Sequence, residues 1–188
     1  MNYDRHLYEG RPSERRTEVE ERCYDFLDGL QVPYYRVDHE HADTIEDCEL
    51  AEGILGCKIC KNLFLCNRQQ TDFYLLLMPG QKPFKTKILS KQIGTSRLSF
   101  ADEGHMRDYL GLTPGSVSVL GLMNDRDQRV RLLIDRELLQ DPFFGCHPCL
   151  NTSSLRIAMK DVTEKILPAL GHEPLLVDLP WNPDEENA

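Results

Sequence analysis

The fold class this chain predicts is α+β, on three observations. Apolar runs of strand length are interspersed with capped, amphipathic segments of helical period. The two kinds do not alternate strictly, which disfavours a doubly wound parallel sheet. The chain has 188 residues, of which 40% are hydrophobic and 28% charged, enough for one domain with a real core.

Residues 1–16 are polar and read as a flexible N-terminal arm. Thr17 and Glu20 have the spacing of a capping box, and Val19, Cys23, Phe26, Leu27 and Leu30 follow at helical spacing. That helix should stop near Gly29–Leu30. Val32 to Asp38 reads as a short strand, placed at a sheet edge by Pro33. Thr44 to Leu55 is a second helix, capped by Thr44 and Asp47 and ended by Gly56. Lys61 to Cys66 and Asp72 to Met78 are apolar strands joined by a polar turn, and Pro79-Gly80 breaks the second.

A basic helix is expected from Lys85 to Ile93, stopped by Gly94, then a strand from Arg97 to Ala101. Asp102 caps a helix that Gly111 ends. After the Pro114-Gly115 turn, Ser116 to Met123 and Val130 to Asp135 read as a hairpin around Asn124–Gln128. A strand from Leu155, a helix capped by Asp161 and closed by Gly171, and a strand at Leu175 to Leu179 complete the domain. The domain is thus assigned to residues 17–179, with 180–188 an acidic, frayed tail.

No apolar run approaches the roughly 20 residues needed to span a bilayer, and Met1 to Arg16 lacks the apolar middle of a signal peptide. No membrane association and a cytoplasmic location are the default expectation. The net charge of −9 argues against a broad duplex-binding face. Within it, Lys82, Lys85, Lys87, Lys91 and Arg97 cluster without an acidic neighbour. That run reads either as a solvated helix face or as a landing strip for phosphates.

Seven cysteines without a secretion signal do not suggest a disulfide framework. Two CxxC pairs, Cys57/Cys60 and Cys146/Cys149, admit zinc or redox chemistry. The gap between them is far longer than in compact zinc ribbons. Small buried apolar side chains are the competing reading. No metal and no cofactor is expected to be obligatory, and the two pairs are expected to lie near one another.

Three separated segments set polar or permissive residues beside strand-like runs. They are Lys61-Asn62-Leu63-Phe64-Leu65, Gly115-Ser116-Val117-Ser118, and His147-Pro148-Cys149-Leu150-Asn151-Thr152. A fourth run, Arg97-Leu98-Ser99-Phe100-Ala101, lies between the first two. In this order and spacing they resemble the YbaK/prolyl-tRNA synthetase-associated editing-domain family, and within it the freestanding PrdX/ProX-type deacylases. The resemblance covers roughly residues 17–179. It implies a curved mixed sheet approaching a barrel with surrounding helices. It implies hydrolysis of an amino acid wrongly attached to tRNA, here alanine on tRNA(Pro). Two alternatives stay open: a Cys-tRNA(Pro) deacylase, or a non-catalytic tRNA- or nucleotide-binding module of the same fold.

The same resemblance assigns catalytic positions to Lys61, Gly115, Ser116 and His147. It assigns substrate contacts to Asn62, Arg97, Val117, Asn151 and Thr152. The implied partners are the acceptor end of tRNA(Pro) and prolyl-tRNA synthetase. Lys61 can hold the terminal phosphate or polarise the ester. Gly115 permits a tight turn that would aim the amides of Ser116 and Val117 at the carbonyl. His147 can orient water or hold substrate, and Asn151 can meet the α-amine or brace His147. A Cys149 nucleophile is the weaker reading, and direct attack by water the stronger one. Val119-Leu120 and Cys149 depart from the commoner Pro-Phe and Leu of relatives, which leaves the edited amino acid open.

Overall fold

The computed structural model describes residues 4–41 and 45–183. The cap expected from Thr44 and Asp47 lies outside the described residues. Strands β1 (Tyr8–Glu9), β2 (Tyr34–Asp38), β7 (Phe143–Cys146) and β8 (Ser153–Ala158) form one antiparallel sheet in the order β1-β2-β8-β7. Strands β3 (Cys60–Cys66), β4 (Phe73–Pro79), β5 (Ser99–Phe100), β6 (Val130–Asp135) and β9 (Leu175–Val177) form a second sheet in the order β5-β3-β4-β6-β9. Its β5-β3-β4 part is antiparallel and its β4-β6-β9 part parallel. This is the mixed α+β fold expected, as two curved sheets that do not close into a barrel.

Side-chain alternation divides the second sheet into two faces. Phe73, Leu75 and Leu77 of β4 join Cys60, Phe64, Val130, Leu132 and Ile134 in the main core. The first sheet enters that core through Leu155 and Ile157, and helix α1 (Glu18–Gly29) through Cys23, Tyr24 and Leu27. The other face carries Leu65, Tyr74, Leu76, Met78 and Leu133, covered by Leu89 of helix α3 (Thr86–Gln92) and by Leu98. Strand β4 is therefore buried on both sides, which is why its sequence is a continuous apolar run. A third cluster packs helix α2 (Ile45–Leu55) onto Val37 and Ile59.

The capping box of α1 is present as expected: the Glu20 amide donates to the Thr17 hydroxyl, and Glu20 accepts from the Thr17 amide. Helix α4 (Glu103–Leu110) is capped by Asp102 and ended by Gly111 in a left-handed conformation.

Several local expectations need correction. Tyr8–Glu9 of the supposed arm pair with β2, and Arg11 bonds to Glu21, Asp25 and Asp28, so this stretch is tied to the domain. That pairing also places β2 inside its sheet, because Pro33 sits just before the strand, where no ladder bond is lost. The hairpin expected after Gly115 is absent. Val119–Asn124 forms a 3₁₀ turn instead, opened by the Ser118 hydroxyl accepting from the Leu120 amide, and β6 pairs with β4 and β9. Asp161 is not a cap. The last helical segment starts at Met159 and carries a π turn at Val162–Ile166, with Asp161 paired to Lys165 at 2.7 Å.

The two sheets meet at Ile59, which bridges to Gly145 at the edge of β7. A Cβ on Gly145 would lie 2.4 Å from the Lys58 carbonyl oxygen, and one on Gly80 would lie 2.4 Å from that of Ile59. Only glycine allows so close a backbone approach. We therefore expect Gly145→Ala to destabilise the protein by about 1–3 kcal/mol, the usual cost of forcing extra volume into a packed site. Urea denaturation checks this, and an unchanged midpoint would mean that the junction can give way.

Candidate active site at the junction of the two sheets

Strand β3 presents the first motif, and its alternation separates the two leading residues. Lys61 lies on the face of Leu63 and Leu65, and Asn62 on the face of Cys60 and Phe64. The Lys61 ammonium donates to the Lys82 carbonyl at 2.9 Å, and burial holds its pKa below the usual lysine value. On the other face, the Asn62 amide nitrogen donates to the Cys60 carbonyl at 3.3 Å. Its Oδ1 is buried and has no partner among the described residues. An orphaned buried acceptor costs about 1–3 kcal/mol, so it marks a place where a donor belongs.

Between the bridge at Ile59 and the pairing of Leu65 with Phe100, residues 60–63 of β3 have strand β4 on one side only, among the described residues. The Phe64 carbonyl points to this open side, accepting from the Ala101 amide at 3.0 Å. By the alternation of an antiparallel ladder, the Asn62 N–H and C=O point the same way, into the gap. The gap is an unpaired window in the edge of the sheet.

The second and third motifs come together. The Ser118 hydroxyl donates to the His147 carbonyl at 2.7 Å, pinning the 115–118 segment to the loop after β7. Gly115 takes φ +83°, the left-handed turn its sequence suggested. One expectation fails here. The Ser116 amide is engaged within the turn by the Thr113 carbonyl at 3.1 Å, so it cannot also serve an oxyanion. Val117 packs against the main core, and the departures Val119 and Leu120 are buried in it rather than exposed to a pocket.

His147 is half-buried in the loop between β7 and β8. Its Nδ1 lies 3.0 Å from the Ser153 carbonyl, which can only accept, so Nδ1 carries the proton and Nε2 keeps its lone pair. Burial pushes the His147 pKa down to about 4, so the ring is neutral at pH 7. His39 stands beside it, with ring centroids 6.2 Å apart, its Nε2 2.9 Å from the Ser154 hydroxyl and its amide donating to the Thr152 carbonyl at 2.9 Å. The sequence reading missed His39; a histidine immediately after a strand ending in Asp38 was the available signal. Asn151 is buried in the same loop, and Arg97 is exposed just ahead of β5.

The basic run also changes in meaning. Lys82 is only 2% exposed and is bound by Asp135 at 2.7 Å and Glu137 at 2.9 Å. Burial opposes its charge, but the two carboxylates prevail and hold its pKa above the ordinary value. It is an anchor for the loop that orients Lys61 and cannot meet a phosphate.

The two CxxC pairs do lie near one another: Cys60, Cys146 and Cys149 share the main core with Cys23. Burial is the leading cause raising the thiol pKa at Cys60, Cys57 and Cys146. These are protonated core side chains. Among the described residues, no group of three or more His, Cys, Asp or Glu is placed to hold a metal ion.

This combination of fold and motifs defines a class. A family profile described as the aminoacyl-tRNA editing domain matches residues 39–165, and the chain belongs to that family. It is 33% identical over 146 residues to the prolyl-tRNA editing protein ProX of Acetoanaerobium sticklandii, covering 78% of this chain and 88% of that one. It is 27% identical over 168 residues to the prolyl-tRNA synthetase associated domain-containing protein 1 of Danio rerio, covering 88% of each. A solved structure of a candidate trans-editing enzyme for prolyl tRNA synthetase superposes with a TM-score of 0.65 at 16% identity, covering 88% of this chain and all of that one. Among the described residues, no helix is long and apolar enough to cross a membrane.

The depressed value at His147 has a consequence for stability. Between pH 6.5 and 4 the unfolded state binds the proton and the folded state does not, so stability falls as pH drops through this window. The gap corresponds to roughly 3 kcal/mol. Denaturant unfolding at pH 7 and pH 4.5 should show a loss of this order for the wild type and a smaller one for His147→Gln. Equal losses in both would place the acid sensitivity elsewhere.

Proposed function

We propose that this chain hydrolyses a mischarged amino acid, alanine first among candidates, from tRNA(Pro) as a freestanding editing enzyme. The observation that carries this reading is the window at residues 60–63. A strand end entering it can leave its phosphate with Lys61 on the outer face while the aminoacyl group passes inside. There the orphaned Asn62 Oδ1 would accept from the α-ammonium, the one strong donor such a substrate always brings. The Asn62 and Val117 amides would be the donors for a developing oxyanion, since the Ser116 amide is engaged. His147, neutral and fixed through Nδ1, offers Nε2 to a water. The substrate's own ribose hydroxyl lies next to the ester and can assist the attack. No nucleophilic thiol is invoked, because Cys149 is buried in the core.

Specificity follows from pocket size. Excluding the proline ring by rigid walls is easier than rejecting a smaller side chain, which is worth only about 1–3 kcal/mol per methylene. A pocket that admits alanine can therefore spare correctly charged Pro-tRNA(Pro). Support for tRNA(Pro) comes from the names of the relatives, which also suggest prolyl-tRNA synthetase as a partner.

Deacylation assays on Ala-, Cys- and Pro-tRNA(Pro) decide the matter. Turnover on Ala-tRNA(Pro) with Pro-tRNA(Pro) spared is expected; preference for Cys-tRNA(Pro) would reassign the substrate, and binding without turnover would make the chain a non-catalytic module. Lys61→Ala should lower the rate by about 10²–10³-fold, the usual loss for one preorganised stabilising contact, with the fold intact by circular dichroism. A rate within a few-fold of wild type would remove Lys61 from the machinery.

A further inference from the structure

The outer face of the window continues into a groove of which the site described so far uses only Lys61. Its floor is Lys61 and Leu63 of β3, and its rim carries Phe84, Lys85, Lys87 and Phe100. Phe100 is 63% exposed, the most open large apolar side chain of the described residues. It sits on short strand β5 opposite Leu65, while its neighbour Ser99 faces Cys66. Alternation therefore sets the Phe100 ring on the same face of the sheet as Lys61. Leu65 lies four strand positions from Lys61, roughly 13 Å at the usual strand rise.

The groove's chemistry selects its occupant. Among the described residues, three that line it are lysines and none is acidic, on a chain whose net charge is −9. An exposed aromatic ring beside a short line of cations is the arrangement that takes unpaired nucleotides: phosphates meet the cations, and a base of any identity stacks on the ring. Duplex RNA does not fit this demand, since its bases are already stacked.

We infer that this groove holds the unpaired 3′ end of the RNA, with a base upstream of the aminoacylated nucleotide stacked on Phe100 and its phosphates over Lys85 and Lys87. The inference rests on the proposed tRNA substrate and extends it from the reacting group to the strand that delivers it. Phe100 thereby acts in substrate positioning, outside the reacting atoms. The groove directs the strand toward Lys61 and the window, so the ester arrives from the outer face.

The test uses binding of uncharged RNA, so that it stands apart from the chemistry. Fluorescence anisotropy compares a tRNA(Pro) acceptor-stem hairpin carrying its unpaired 3′ nucleotides with the same hairpin trimmed flush. Stacking of one base is worth about 1–3 kcal/mol by alanine substitution, so Phe100→Ala should weaken binding of the tailed hairpin by about tenfold. It should leave the trimmed hairpin unchanged, and Phe100→Tyr should bind like wild type. The double variant Lys85→Ala/Lys87→Ala should flatten the salt dependence for the tailed hairpin. Because Phe100 is exposed, circular dichroism should find the variants folded. Unchanged affinity of Phe100→Ala for the tailed hairpin, or equal loss on both hairpins, would overturn the inference. So would a change in oligomeric state on Phe100→Ala with RNA binding intact, which would make the groove a protein contact. Failure of the wild type to deacylate any tRNA would instead refute the proposed activity and leave this binding result standing.

Discussion

Ile59 is where the two sheets touch, and the candidate site depends on how closely they do so. Its carbonyl faces Gly80 from one side, and its α-carbon and the Lys58 carbonyl face Gly145 from the other. A side chain at either glycine would have to occupy space already filled by backbone. The approach stitches β3 to β7 at one point, while β5 engages β3 only from Phe64 onward. The unpaired stretch between these two attachments is the window. The candidate site is thus formed by what the sheets leave open, beside two glycines that carry no chemistry.

A second constraint acts through electrostatics. Lys82, Asp135 and Glu137 form an ion-pair cluster at the end of the second sheet, and the Trp181 ring lies 5.6 Å from the Lys82 ammonium. Trp181 also donates to Glu137, so part of the chain expected to fray is fastened here. Burying such charges is costly, and removing one partner from a buried pair typically costs about 3–5 kcal/mol. What the cluster secures is the loop whose carbonyl at Lys82 receives the Lys61 ammonium. A buried cation orients a half-buried one through the backbone between them.

The cysteines show how one pattern in sequence can serve packing. Cys23 of α1, Cys60 at the start of β3, and Cys146 and Cys149 around the His147 loop converge in the main core. Each is small and apolar enough to fill a tight junction between elements. The raised pKa values of Cys23, Cys60 and Cys146 keep those thiols protonated, which suits a dry interior. Cys149 also takes φ +61°, a conformation uncommon for a residue with a Cβ, so the loop that carries His147 holds some backbone strain.

Local chemistry was fully legible in the sequence where it was self-contained. The Thr17–Glu20 box, the Asp102 cap and the Gly56 and Gly111 stops are short-range, and each appears where the residues placed it. The continuous apolar run of β4 foretold a strand. The three motifs were visible as text, and so was the family. Only the tertiary structure decided how they relate. It put Lys61 and Asn62 on opposite faces of one strand, engaged the Ser116 amide in a turn, turned an expected hairpin strand into a 3₁₀ segment, and buried Lys82 away from any phosphate. It also brought His39 to His147 across more than a hundred residues. These outcomes depend on which strand edges are left unpaired and which charges are buried together. Both are set by contacts between distant segments, and no local pattern encodes them.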